Sequence, residues 1–215
     1  LGTLQPLAEA AALIRHFPDC HFHVDATQAI GKVPVDFSVA DSVSFAPHKF
    51  YGLVGSGVLY KKKGIPLYPH GGESDSPYRS GTPALAEICA LETALETALA
   101  EESARYDLVA AHNAYLRAAL KGKVTVNSPA TAVPHILNLS IAGLRGAAVQ
   151  AALALSDICI SVKSACSTDA LPSRAVFAVS RSRKNALASF RLSLSHLTTR
   201  EELDALLGAL APLLH

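Results

Sequence analysis

An α/β fold with a mainly parallel sheet, followed by a smaller α+β domain, is predicted by three features of this 215-residue sequence. In the first part, short apolar segments that stop at turn residues alternate with segments of helical spacing. One long helical segment then interrupts the alternation near the middle of the chain. Beyond it the alternation resumes with a new set of strand and helix candidates. The domain change is placed on that long helix, giving residues 1–96 and 97–215.

From Pro6 to Phe17 apolar and small residues recur at helical spacing and end at His16-Phe17-Pro18. His21–Asp25 reads as a short strand that stops at an acid. Val43–Phe45 is a second strand, stopped by Ala46-Pro47, and Gly57–Tyr60 a third, running into the turn Lys61-Lys62-Lys63-Gly64. Tyr68–Pro83 is rich in Gly, Ser and Pro and reads as a long loop, a kind that is often functional. Leu85, Ile88, Leu91, Leu95 and Leu99 then step by three or four, with glutamates on other faces, which predicts the long helix. In the second domain Val124–Val126, Ile136–Ser140, Ile158–Val162 and Ala188–Leu194 read as strands. Gly146–Leu155, Ser173–Ser180 and Thr199–Leu214 read as helices.

Half of the residues are apolar and 17% are charged, enough to bury a core. Lys and Arg total 19 against 18 Asp and Glu, so no basic excess points to nucleic acid or to a membrane surface. No apolar run reaches the length of a membrane span, and nothing argues for export. The four cysteines, Cys20, Cys89, Cys159 and Cys166, show no paired spacing and suit free thiols in a reducing cytoplasm. The expected location is therefore cytoplasmic, and the expected partner a small molecule or another protein.

Asp25 and the pair His48-Lys49 carry the first chemical suggestion. An acid ending one strand and a lysine just past the next share the C-terminal edge of a parallel sheet, where open α/β folds bind ligands. Pyridoxal phosphate needs such a pair. An amine bonds its aldehyde, and an acid keeps its ring nitrogen protonated so that the ring accepts electrons. Taken singly, each residue has a plainer reading: Asp25 caps a strand and Lys49 is a solvated lysine. Cys20-His21-Phe22-His23 is no metal cluster, because alternation puts Cys20 on the opposite strand face and no second pair follows.

Five blocks then stand together in order. They are His23-Val24-Asp25-Ala26-Thr27-Gln28, Ser44 to Gly52 around His48-Lys49, Gly71-Gly72 with Arg79-Ser80-Gly81-Thr82, Ser164-Ala165-Cys166, and Phe190-Arg191-Leu192-Ser193. Over nearly the whole chain this resembles the cysteine desulfurases, class V relatives among pyridoxal-phosphate enzymes. The resemblance implies the type I fold of those transferases and a chain equivalent to the C-terminal half or more of a family member.

Carried onto matching positions, the resemblance makes Lys49 the cofactor-bearing lysine. Asp25 pairs with the ring nitrogen, Gln28 bonds the phenolic oxygen, and His48 lies toward the phosphate. Thr82 reaches the phosphate of a neighbouring subunit, since family members are homodimers. Arg191 takes the substrate carboxylate through a bidentate fork. Cys166, in a run of small and polar residues, becomes the sulfur-accepting thiol. The other three cysteines read as small core hydrophobes.

Two positions depart from the family. Ala46 stands where a serine usually donates to the phosphate, a loss of about 1.5–3 kcal/mol if nothing replaces the bond. Lys163 stands where glycine is common, and is expected to lower the thiol pKa of Cys166.

The implied reaction converts L-cysteine to alanine and leaves a persulfide on Cys166. Its sulfur passes to acceptor proteins of the iron–sulfur scaffold or tRNA-thiolation type. Alternative readings are a selenocysteine lyase, an aminotransferase of the same class, or a non-catalytic piece that only binds partners.

Overall fold

A computed structural model of the chain describes residues 1–66, 78, 80–162 and 172–214. They divide into two compact units, Gln5–Ser103 and Leu1–Leu4 with Ala104–His215. The motif residues Gly71, Gly72, Arg79, Lys163, Ser164, Ala165 and Cys166 lie outside the described residues.

The first unit begins with α1 (Leu7–Ile14), shorter than the expected helix because its terminal turn unwinds before Pro18. A three-stranded sheet follows: β1 (His23–Asp25), β2 (Ser42–Phe45) and β3 (Val58–Lys61), in that spatial order. β1 and β2 run parallel, with Val24 opposite Val43 and Asp25 opposite Ser44. β3 runs antiparallel to β2, with Phe45 opposite Val58. The expectation of a mainly parallel sheet therefore holds for one pairing of two. Residues 46–57 hold only a single 3-10 turn, not the crossover helix that usually joins parallel neighbours.

Alternation along β1 buries Val24 and leaves His23 and Asp25 exposed. Val24, Ala26, Ile30, Val43, Phe45 and Phe50 form the core of this unit with Ala98 from α2 (Leu85–Ala100). α2 meets that core through Ala94, Leu95 and Ala98. Leu85, Ile88 and Leu99, expected on its buried stripe, are exposed. Cys20 and Cys89 are exposed too, as is Cys159 in the second unit, so none of the three is the core residue expected. Cys89 sits on the face of α2 turned away from Ala98, and Cys20 precedes β1 in a turn.

The second unit starts its long elements with α3 (Glu102–Ala119), a helix the apolar pattern does not announce. Its antiparallel sheet has the order β4 (Thr125–Val126), β5 (Ile136–Ser140), β6 (Ser189–Ser193). α4 (Gly146–Ala154), α5 (Arg174–Ser180), α6 (Arg183–Ala188) and α7 (Arg200–Leu210) complete it. Leu116, Leu137, Leu139, Val149, Leu153, Phe190 and Leu206 belong to one buried apolar cluster. The expected strand over Ile158–Val162 reduces to one bridge, Ser161 to Arg191, with Arg191 N–H donating to Ser161 O at 2.6 Å. The chain reaches that point through Asp157 at φ 57°, which leaves only a short extended run to pair. α7 stops earlier than expected because Pro212 turns the end into a 3-10 segment, Ala211–Leu213.

Candidate active site

The parallel pair β1–β2 fixes where the expected site residues leave the first sheet. The ladder continues one step past β1, with Ala26 N–H donating to Ser44 O at 2.8 Å. Asp25 is the last residue of β1, and Lys49 closes the 3-10 turn Pro47–Lys49 that follows β2. Asp25, Gln28, His48 and Lys49 thus all follow the C-terminal ends of two adjacent parallel strands, and all four are exposed. That edge is the one at which open α/β sheets take ligands.

The turn that carries Lys49 is tightly wound. Phe50 N–H and Gly52 N–H both donate to Pro47 O, at 2.9 Å each. Tyr51 between them is forced to φ 73°, a conformation that costs a bulky residue about 1–3 kcal/mol. Position 52 must be glycine here, since a Cβ would stand 2.7 Å from Pro47 Cβ. Phe50 anchors the turn in the core at 2% exposure, so Lys49 projects from a fixed base.

Asp25 is prepared for a permanent charge. The Thr27 hydroxyl and then the Thr27 backbone N–H hold its carboxyl below the usual carboxylate range, with the His23 charge adding to them. The backbone N–H donates to Oδ1 at 2.9 Å. The His23 ring lies against β2, with Nδ1 2.7 Å from Ser42 Oγ and Nε2 3.0 Å from Ser44 Oγ. His21 Nε2 shares the Ser42 hydroxyl at 2.8 Å. Among the described residues no three His, Cys, Asp or Glu side chains gather as a metal site.

Lys32 also reaches this edge, and the motif reading did not include it. It donates to the Gln28 carbonyl and to Gln28 Oε1, both at 3.4 Å. Its ammonium is shifted toward neutrality, chiefly by burial and then by the charge of Lys49. The available clue was the spacing Gln28 to Lys32, one helical turn.

An ionised carboxylate, an exposed amine and a carboxamide fit a protonated pyridine ring bearing an aldehyde and a phenol. Ala46 offers no hydroxyl to a phosphate, in keeping with the departure seen in the sequence.

The other expected residues are placed separately. Thr82 is exposed ahead of α2. Arg191, in β6 of the second unit, donates through Nη2 to Ser161 Oγ at 3.2 Å. Among the described residues its Nε is buried without an acceptor, a donor suited to a carboxylate oxygen. Cys166 and Lys163 lie outside the described residues.

Comparison with known proteins adds family likeness to this geometry. Residues 1–206 match the family described as aminotransferase class-V. A NifS/IcsS protein homolog of Lactobacillus delbrueckii subsp. bulgaricus is 37% identical over 97% of this chain and 57% of its own length. Cysteine desulfurase IscS of Dictyoglomus turgidum is 32% identical over 98% of this chain and 55% of its own. A solved structure titled NifS-like protein superposes with a TM-score of 0.88 at 29% identity, over 99% of this chain and 57% of that one. The chain thus spans little more than half the length of these relatives.

Proposed function

Since this chain belongs to the aminotransferase class-V family, we propose that it is the lysine- and cysteine-bearing part of a pyridoxal-phosphate-dependent cysteine desulfurase. The observation that carries this reading is the exit of Asp25 and Lys49 from the C-terminal ends of neighbouring parallel strands. The names of these relatives, a NifS/IcsS protein homolog and a cysteine desulfurase IscS, support the same chemistry.

Asp25 would hold the ring nitrogen of the cofactor, Gln28 its phenolic oxygen, and Lys49 its aldehyde carbon, with His48 toward the phosphate. When bound, the cofactor supplies an electron sink for bonds broken at the substrate's α- and β-carbons. Asp25 keeps its charge down to low pH because Thr27 holds the carboxylate, so it holds the ring proton throughout the neutral range. Lys49, as a free amine, would take the proton from the substrate's α-carbon. Arg191 would orient the substrate through its carboxylate, with Nε a donor that no acceptor among the described residues engages.

The Cys166 thiolate attacks the sulfur of L-cysteine. A sulfur–sulfur bond forms as the carbon–sulfur bond breaks, and the electron pair of the latter stays with carbon. A proton delivered there completes the methyl group of alanine. The enzyme keeps the persulfide, and no outside oxidant is needed. Acceptor proteins of the iron–sulfur scaffold or tRNA-thiolation type would remove the sulfur, and the working form would be a homodimer in which Thr82 reaches the partner subunit's cofactor phosphate.

The test supplies L-cysteine and pyridoxal phosphate, with no keto acid, to the protein carrying this chain. Alanine in amounts equal to the sulfur bound at Cys166, read by mass spectrometry, is the expected result. Turnover that requires a keto acid and leaves Cys166 unmodified would make the protein an aminotransferase instead.

A further inference from the structure

Lys32 is a half-buried cation with no carboxylate partner among the described residues. Among the described residues no acid forms an ion pair with it, and the only charge that bears on it is the like charge of Lys49. A half-buried ammonium is costly unless something answers its charge. Here the protein supplies two dipoles, both from one residue: the carbonyl and the carboxamide oxygen of Gln28, each at 3.4 Å.

The local backbone explains the placement. Ile30 N–H donates to Ala26 O at 3.1 Å and Val33 N–H to Ala29 O at 3.0 Å, so residues 26–33 wind as a helical turn. That winding puts positions 28 and 32 on one side. Gly31, at φ 70°, packs where a Cβ would lie 3.3 Å from Phe50 Cβ. Gly31 and Phe50 are the chain neighbours of Lys32 and Lys49, which brings the two lysines to the same place.

A lysine can only donate, whereas a carboxamide has one accepting end and one donating end. Lys32 on Oε1 leaves both amide N–H donors of Gln28 available to a ligand. We infer that Lys32 is a positioning residue: it holds Gln28 by the oxygen so that the amide N–H faces the cofactor's phenolic oxygen, and it adds a positive charge on that side of the ring. The inference rests on the reading of Asp25 and Lys49 as a pyridoxal-phosphate site.

The bound cofactor's visible band changes with pH as the nitrogen joined to Lys49 gains or loses a proton. Donation to the phenolic oxygen and a nearby positive charge both disfavour that protonation. In the holoenzyme, Lys32→Met, which keeps the stem and removes the donor, is expected to raise the midpoint by about one pH unit. Lys32→Arg restores a donor and is expected to return it most of the way. Gln28→Met raises the midpoint alone, and adding Lys32→Met to it changes little, because the two residues act as one unit.

A midpoint unmoved in Lys32→Met, or shifts that simply add in the double variant, would overturn the inference. Should Lys32→Met not fold, the side-chain nitrogen resonance of isotope-labelled Lys32 gives the answer on the unaltered protein. Its proton affinity rises when pyridoxal phosphate binds, as negative charge arrives on its side; no change overturns the inference. Absence of any visible band in the unaltered protein would instead remove the cofactor reading itself, and this inference with it.

Discussion

A methyl group on Gly52 would lie 2.7 Å from Pro47 Cβ and 3.2 Å from Ala94 Cβ. Gly52→Ala must therefore displace the turn that carries Lys49. We expect a loss of about 1–3 kcal/mol in denaturant unfolding, with a reduced yield of Lys49 adduct. Asp25 gives a pH prediction. Its carboxyl is held below the usual value by Thr27, so its stabilising contribution is present above about pH 4 and is lost as pH falls through the lower folded value. Asp25→Asn should lose that contribution at neutral pH, converge with the unaltered protein in acid, and weaken cofactor binding. Unfolding curves across the acid range check it. At this scale the placement of Asp25 and Lys49 at the ends of neighbouring strands was legible, because each sits in a multi-residue motif. Lys32 was not legible, since a glutamine and a lysine one turn apart usually mark nothing more than a solvated face. The packing of Gly31 against Ala98 and Phe50 accompanies the approach of Lys32 to Lys49.

Thr199 closes the N-terminus of α7 with a reciprocal cap: Glu202 N–H donates to Thr199 Oγ1 at 3.2 Å and Thr199 N–H to Glu202 Oε2 at 2.8 Å. Thr199→Ala should cost about 1 kcal/mol of stability, read in thermal or denaturant unfolding, with cofactor binding unchanged. That α1, α2 and α7 are helices could be read from apolar spacing because their repeats are nearly unbroken, although α2 packs through Ala94, Leu95 and Ala98 and exposes Leu85, Ile88 and Leu99. α3 could not, because its buried stripe of Val109, Asn113 and Leu116 has a polar residue in the middle. Asn113 earns that position by donating to Pro134 O at 2.8 Å while accepting from Arg117 Nε at 2.6 Å. Asn113→Leu is expected to cost about 1–3 kcal/mol by leaving those two groups unsatisfied. Strand pairing is harder still to read. A run such as Ile158–Val162 has the composition of a strand, but whether a neighbour offers it more than one hydrogen-bonded residue depends on the rest of the fold.

For the whole molecule, the proposed reading draws on residues of each unit: Lys49 and Asp25 belong to one, Arg191 to the other. Cys166→Ser separates the roles. It should cut alanine production from L-cysteine at least tenfold while leaving the visible band of bound cofactor in place, since in the proposed reaction the thiol attacks substrate sulfur and not the cofactor. Loss of the band would move Cys166 into cofactor binding. The central claim concerns which amine holds the aldehyde. Pyridoxal phosphate should be added to the protein, the product reduced with borohydride, and the modified peptide identified by mass spectrometry. The account predicts a single stable adduct on Lys49, abolished in Lys49→Ala. An adduct on another lysine, or none at all on a folded protein, would contradict it.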